Sequence, residues 1–369
     1  MKISLDREQL TAQLGVAVRG VATRSAIQTL SGVRLVAEGE RVELQATDME
    51  VGVRIGVGAS VERAGSAVIP GRLLLDIVRG LPQSSLTIEH RGTEQDVEVV
   101  SGGARYHVRT LPEDDFPRLP EPSGEPTLEV PADAFVETVG RVARSASRDE
   151  TRPHLTGVLV TASGNDLRMV ATDSYRLSVK ETKLEEALPA SLEVNVPARA
   201  LEELRRLAPG SGAERLAVTA LENQVIFQLG DAVLSSRLVE GRFPNYQQLL
   251  PDAYEHELRV AGDEIREVVR RMSLMAQKNA PLKLRFAEGE LQISAQTPDL
   301  GDASETLPVP FTGEPFEIGF NPEFLRDGLD SAESEELVLK LISPLRPGLI
   351  QSGDDGGFLY LIMPIRLNV

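Results

Sequence analysis

Thr47, Thr172 and Thr297 stand 125 residues apart, each closing an alternating apolar run in "LQATD", "MVATD" and "ISAQT". An interval that recurs along a whole chain constrains its fold strongly, because one unit must then be built three times. The surrounding pattern recurs with it. Leu10, Leu14, Ala17 and Val21 fall at i, i+4, i+7 and i+11, as do Phe135, Val139, Val142 and Ala146, and Ile265, Val269, Met272 and Ala276. At about 100° per residue each set makes one narrow helical stripe. Asp6, Asp133 and Asp263 stand at the starts of these helices. A carboxylate there satisfies free N–H groups and meets the positive end of the helix dipole.

After each helix come two alternating runs around a glycine (Gly39, Gly164 or Gly289), which predicts a β-hairpin. A second helix then follows a short strand in each copy, in "AVIPGRLLLDIVRGLP", "VNVPARALEELRRLAPG" and "EIGFNPEFLRDGLDSA". Pro70, Pro197 and Pro322 fall near its start, where a missing N–H costs little. Further strands such as "LTIEH", "VEVVS" and "RYHVRTL" end the copy. The joins "LPEDDFPRLPEPSGEP" and "EGRFPNYQQLLPDAYE" share a Phe-Pro pair, Phe116-Pro117 and Phe243-Pro244, and read as extended linkers. The expectation is an α+β chain of three tandem domains, residues 1–121, 122–252 and 253–369, each with two helices packed on antiparallel sheet.

Composition narrows the function. With 41% hydrophobic and 26% charged residues the chain is expected to fold. It has no cysteine, which excludes a disulfide scaffold, a Cys-ligated zinc and a thiol nucleophile. "MKISLDREQL" is too charged for a signal peptide, and no run of 18 apolar residues exists, so a cytoplasmic protein without a membrane span is expected.

Net charge is −17, which argues against a surface that binds nucleic acid all over. The cations nevertheless recur on the helices. Arg141, Arg144 and Arg148 lie opposite the Phe135–Ala146 stripe, Arg19 and Arg270–Arg271 hold similar faces, and Arg72, Arg79, Arg199, Arg205, Arg206 and Arg326 lie on the second helices. A solvated face explains any one of these. A cationic helix layer on an acidic chain would draw a polyanion to one surface and repel it from the rest. Without base-reading elements, such binding is sequence-independent and salt-sensitive.

No catalytic constellation emerges. His90, His107, His154 and His256 form no ligand pair, and no phosphate loop, dinucleotide motif or nucleophile elbow is present. Neither a metal nor a cofactor is expected. Asp48 and Asp173 are the best candidates for a carboxylate-dependent hydrolase. A repeated Thr-Asp at a strand end is more simply a turn in which side-chain oxygens accept backbone N–H groups. In the third copy Pro298 replaces the Asp.

"VATDSYRLSV", "LVEGRFPNYQQLLP", "TDME" and the terminal "YLIMPIRL" resemble the bacterial DNA polymerase III beta subunit, the replicative sliding clamp family, along the full chain. The resemblance implies a head-to-tail homodimer of three-domain subunits, a closed six-domain ring with helices around the hole. Duplex DNA passes through it unread, and the ring, not itself an enzyme, tethers the polymerase. The implied partners are a second copy, duplex DNA, the clamp loader complex, the alpha-type polymerase subunit and other clamp-binding-motif proteins of replication and repair. A repeat-built interaction scaffold that does not bind DNA is the alternative.

Clients of the family insert a short peptide of Gln and apolar residues between the second and third domains. Carried over by motif, that groove is Leu155, Thr172, Tyr175, Arg176, Leu177, Pro244, Leu249, Leu345, Leu361, Ile362, Met363, Pro364, Ile365, Arg366 and Leu367. The implied DNA contacts are Arg24, Arg148, Arg152 and Arg199, to which the helix-face pattern adds Arg141 and Arg144. The implied dimer interface is Arg105, Tyr106 and Val108 against Leu274, Met275, Asp299, Asp302 and Glu305. Tyr175 stands where the family often has His, Ser174 where Gly is common, and Asn368-Val369 follow the usual Arg-Leu end.

Overall fold

The computed structural model describes every residue except 123, 277–279, 354–356 and 368–369. Asn368 and Val369 therefore lie outside the described residues. The element order repeats three times. The first copy is β1 (Lys2–Asp6), α1 (Arg7–Ala17), β2 (Gly32–Glu38), β3 (Arg41–Thr47), β4 (Val51–Arg63), β5 (Gly65–Pro70), α2 (Gly71–Gly80), β6 (Ser85–Arg91), β7 (Asp96–Ser101) and β8 (Ala104–Arg109). The second is β9 (Leu128–Pro131), α3 (Ala132–Val142), β10 (Gly157–Ser163), β11 (Asp166–Thr172), β12 (Arg176–Lys183), β13 (Leu192–Pro197), α4 (Ala198–Ser211), β14 (Arg215–Ala220), β15 (Gln224–Leu229) and β16 (Ala232–Arg237). The third is β17 (His256–Ala261), α5 (Gly262–Ser273), β18 (Leu282–Ala287), β19 (Glu290–Thr297), β20 (Gly301–Pro308), β21 (Phe316–Phe320), α6 (Pro322–Ala332), β22 (Glu336–Leu341), β23 (Gly348–Ser352) and β24 (Phe358–Ile362).

The start and turn signals act as expected, but α1, α3 and α5 end before the last stripe residues Val21, Ala146 and Ala276, which leaves Arg144 and Arg148 beyond α3. Asp6 caps α1 by accepting from the Gln9 N–H, and Asn321 caps α6 with Pro322 in its first turn. Asp133 and Asp263 sit in the first turns of α3 and α5. Gly39, Gly164 and Gly289 all take positive φ (61°, 56° and 71°), the conformation their tight hairpins require.

The chain divides into two compact units. The unit of residues 1–133 and 203–238 holds one antiparallel sheet in the order β8-β7-β6-β1-β4-β16-β15-β14-β9, with β3, β2 and β5 continuing from β4. Leu10, Leu14 and Ala17 of α1 and Leu74 and Val78 of α2 pack in its core with Val33, Leu35, Val42 and Leu44. The unit of residues 134–202 and 239–369 holds an eight-stranded sheet, β13-β10-β11-β12-β24-β23-β22-β17, and a four-stranded sheet, β20-β19-β18-β21. In its core Ile265 and Val269 of α5 and Leu325 and Leu329 of α6 meet Leu284, Ile293, Ile318 and Tyr360. Gly328 is required there, since a Cβ would stand 2.4 Å from Tyr360 Cδ1.

In each unit a ladder crosses from one copy to the next. β16 pairs with β4, Ser236 opposite Val51, and β24 pairs with β12, Ile362 opposite Arg176. Cross-strand ion pairs line these sheets. Arg168 donates from Nε and Nη2 to Glu181 Oε2 (3.0 and 2.5 Å), directly opposite it on β12. That hydrogen bond holds the Glu181 carboxyl below its usual pKa, against partial burial. A depressed carboxylate stabilises the fold fully above its unfolded pKa, about 4.3, and the contribution is lost as pH falls through the lower folded value. Arg168→Met is therefore expected to lower the melting temperature at pH 7. The gap from wild type should narrow on acidification below about pH 4, as read by thermal unfolding across pH.

Candidate functional site

The Thr-Asp pairs form the same turn twice. The Thr47 hydroxyl donates to Val51 O (2.9 Å) and accepts from the Met49 N–H (3.0 Å), while Asp48 Oδ1 accepts from the N–H groups of Glu50 and Val51 (3.1 and 2.9 Å). The Thr172 hydroxyl donates to Arg176 O (2.6 Å) and accepts from the Ser174 N–H (3.2 Å), while Asp173 Oδ1 accepts from Tyr175 and Arg176 (both 2.9 Å). Met49 and Ser174 take the same left-handed φ, 80° and 79°. Both carboxylates thus hold backbone. In the third copy the strands still turn, with the Leu300 N–H donating to Thr297 O (3.0 Å), but the Thr297 hydroxyl donates elsewhere, to Met275 O (2.6 Å).

The two residues after the second turn are distinctive. Tyr175 is 60% exposed, and its ring stacks on Phe324 of α6 (centroids 6.4 Å apart, 27° between planes). Arg176 is buried. It donates to Asp173 Oδ2 (3.1 Å), Asp327 Oδ2 (2.6 Å) and Arg144 O (2.7 Å), with its guanidinium carbon 4.3 Å from the Phe324 ring centroid. Burial opposes that charge, and the carboxylates of Asp327 and Asp173 offset it, so the group stays charged. Burial also raises the pKa of Tyr360, whose hydroxyl donates to Phe324 O (2.8 Å).

The expected groove residues divide by accessibility. Met363 donates its N–H to Tyr175 O (2.9 Å), which seats these two exposed side chains side by side. Leu177 and Leu361 face each other across the ladder and are buried with Val170, Val179 and Leu349 beneath Phe243, Tyr246 and Leu250 of the linker. Leu155, Thr172 and Ile362 are also buried, whereas Leu249, Leu345 and Arg366 are exposed and Pro244, Pro364, Ile365 and Leu367 half-buried. Ile365 bridges to Gly319, and Leu367 closes on the same glycine, which tethers the terminal segment to β21. Phe324 and Asp327 were not among the expected residues. They lie about 150 positions from the turn they touch, and nothing local in "PEFLRDGLD" marks them.

The cations differ as sharply. Arg141 has its guanidinium engaged with Glu137 (2.9 Å), Glu333 (3.1 Å) and Ser331 O (2.8 Å). Arg152 binds Asp149 (3.0 Å) and the Ser174 hydroxyl (3.1 Å). Arg24, Arg144, Arg148 and Arg199 are exposed. Among the described residues no acid lies within ion-pair distance of Arg24, Arg72, Arg79, Arg144, Arg148 or Arg326. At the expected subunit interface, Tyr106 and Leu274 are exposed, Val108 is buried and Met275 packs on the third-copy core. Arg105 pairs with Glu98 (2.6 Å) and Glu305 with Arg271 (2.7 Å), while Asp299 and Asp302 are exposed.

Family models of the DNA polymerase III beta subunit match in chain order: the N-terminal domain over residues 1–120, the central domain over 129–245 and the C-terminal domain over 247–366. The beta sliding clamp of Streptomyces coelicolor is 32% identical across the full length of both chains. The solved DNA polymerase sliding clamp of Bacillus subtilis superposes with a TM-score of 0.93 at 27% identity, again over both whole chains. The Pseudomonas aeruginosa sliding clamp, solved bound to griselimycin, superposes with a TM-score of 0.91 at 28% identity over the whole of both chains.

A turn built on carboxylate acceptors makes a clear forecast. Asp48→Asn keeps an acceptor and should leave stability nearly unchanged, whereas Asp48→Ala should cost about 1–3 kcal/mol by urea unfolding, the range for leaving backbone N–H groups without their acceptor. Equal losses in both variants would mean that the charge, and not the acceptor, is what the site needs.

Proposed function

The chain belongs to the DNA polymerase III beta subunit family, the sliding clamps, and from that premise we propose that two copies close head to tail into a ring that slides on duplex DNA. It is a non-catalytic processivity factor of DNA replication. One observation carries the ring. The last strand of each later copy pairs with the third long strand of the copy before it, β16 on β4 and β24 on β12. Among the described residues, β8 and β20 are the members of that series left with one neighbour each, β7 and β19. An unpaired edge is a template for another chain, and pairing β8 with the partner's β20 uses both edges in a closed, twofold arrangement. Arg105 and Arg109 on β8 face a segment carrying Asp299, Asp302 and Glu305, a complementary charge pattern that suits this docking. Arg105 and Glu305 would exchange their present partners, Glu98 and Arg271, on assembly.

DNA is held by encirclement, so its contacts can be weak. The exposed Arg24, Arg144, Arg148 and Arg199 supply phosphate contacts without base reading. The griselimycin complex of the Pseudomonas relative supports a ligand groove in this fold. In this chain the groove is the exposed set Tyr175, Leu249, Leu345 and Met363 over its buried floor, and it takes the apolar side chains of the polymerase alpha-type subunit, the clamp loader and other clients. Domain limits near 121 and 252 suit this arrangement.

Two experiments test the proposal. Carrying the internal register across puts Tyr106 opposite the partner's Asp302, as Leu234 stands opposite Val53. In a chain with no cysteine, the double variant Tyr106→Cys/Asp302→Cys should oxidise to a covalently closed dimer on a denaturing gel. Exclusively monomeric product, with a monomer by native mass spectrometry, would sink the ring. Loaded protein should stay on nicked circular DNA and leave within the time of cutting the circle; equal retention on linear DNA would exclude encirclement.

A further inference from the structure

We infer that Arg176 is a positioning residue, which draws the Asp173 turn of the central domain onto α6 of the C-terminal domain and so sets where Tyr175 stands; this rests on Tyr175 belonging to the client groove. The side chain is turned inward. It is 7% exposed, and its three hydrogen-bond partners are Asp173, Asp327 and the Arg144 carbonyl, so its polar edge is occupied by protein. Asp173 belongs to the turn and Asp327 to the segment matched by the C-terminal model, so one guanidinium joins the two. Phe324 completes the link, since Arg176 lies over its ring and Tyr175 stacks on it. The exposed tyrosine is therefore held by a domain other than its own.

Comparison with the first copy shows that this arrangement serves the second junction and not the turn itself. The first turn has matching geometry, but the residue in the place of Arg176 is Val51, buried and opposite Ser236 as Arg176 is opposite Ile362. An apolar side chain closes the ladder there without a guanidinium. The acid remains: Glu203 is the sixth residue of α4 as Asp327 is of α6, and it pairs instead with Arg19 (3.4 Å) and Arg206 (2.5 Å). Arg141 adds a second hold on α6 at Ser331 O, one helical turn beyond Asp327, so two arginines of the central domain grip one face of that helix.

Asp327→Asn in the full-length dimer separates positioning from ligand contact. Hydrogen exchange at the Tyr175 and Arg176 amides, which donate to Asp173, should accelerate by about tenfold as the turn loosens. A fluorescent synthetic peptide of Gln, Leu and Phe should bind about fivefold more weakly, mainly through faster dissociation. The Arg176→Met/Asp327→Asn double variant should bind no more weakly than Arg176→Met, because both break one link. Asp327→Glu should recover most of both losses. Phe324→Leu, which keeps apolar volume but removes the shared ring, gives the same test if Asp327→Asn folds poorly. Unchanged protection at Tyr175, or affinity within about twofold in Asp327→Asn with losses that add in the double variant, would overturn the inference and make Arg176 a direct contact. Wild type that fails to bind the peptide would sink the groove reading, and the exchange measurement still decides whether the link exists.

Discussion

Backbone pairing between copies is the constraint on which the rest of this chain depends. A copy of the repeat ends on a strand, and an unpartnered final strand leaves a row of free N–H and C=O groups. The chain meets that demand by laying β16 on β4 and β24 on β12. Register then matters, because a slip of one residue would turn Leu177 and Leu361 from the shared cluster under Phe243 to the opposite face. The two Thr-Asp turns stand where these ladders end. Each anchors its strand through four short hydrogen bonds, which explains why an acid recurs without chemistry to perform.

The same architecture settles how charge is used. The chain is acidic overall, yet many arginines on its strands are already neutralised, as in Arg54–Glu43, Arg91–Asp96 and Arg168–Glu181. These pairs are partly buried, and besides the stability they contribute they keep cations from acting as general polyanion sites. The arginines left without an acid among the described residues include Arg72 and Arg79 on α2, Arg326 on α6, and Arg144 and Arg148 beyond α3. An acidic exterior with a few unpaired helix cations suits a protein that must hold DNA without gripping it.

The fold was legible because its signals are local and repeated. The stripe beginning at Phe135, the hairpin glycines, the acidic start at Asp6 and Pro322 at the head of α6 are read within a few residues. The ladders between copies were not, since strand partners such as Arg176 and Ile362 are far apart in sequence and no local period encodes their pairing. The site was half legible for the same reason. Motif matching reached Tyr175 and Met363, which the backbone brings together, but helical phase placed Arg141 and Arg144 on one polar face when only Arg144 is exposed. Phase reports which side of a helix a residue occupies, not whether Glu333 and a carbonyl wait there. Phe324 and Asp327 become functional candidates only through tertiary contact.

The two junctions differ in side chains in a way that favours the proposed groove at the second and not at the first. Their backbones match down to the hydrogen bond beyond the turn, Arg237 N–H to Glu50 O in the first and Met363 N–H to Tyr175 O in the second. The side chains at those places differ in kind. Glu50 and Arg237 are charged and exposed, and covering them with an apolar ligand would leave charges poorly paired. Tyr175 and Met363 offer a ring and a flexible thioether, surfaces that gain from contact with apolar side chains. Beneath them the buried Val51 needs no partner, whereas the buried Arg176 does and finds it on α6. The two junctions thus differ by a few side-chain replacements on a matching ladder. The Thr-Asp pair, the most conspicuous chemistry in the sequence, is the part that both junctions share and therefore the part that does not discriminate.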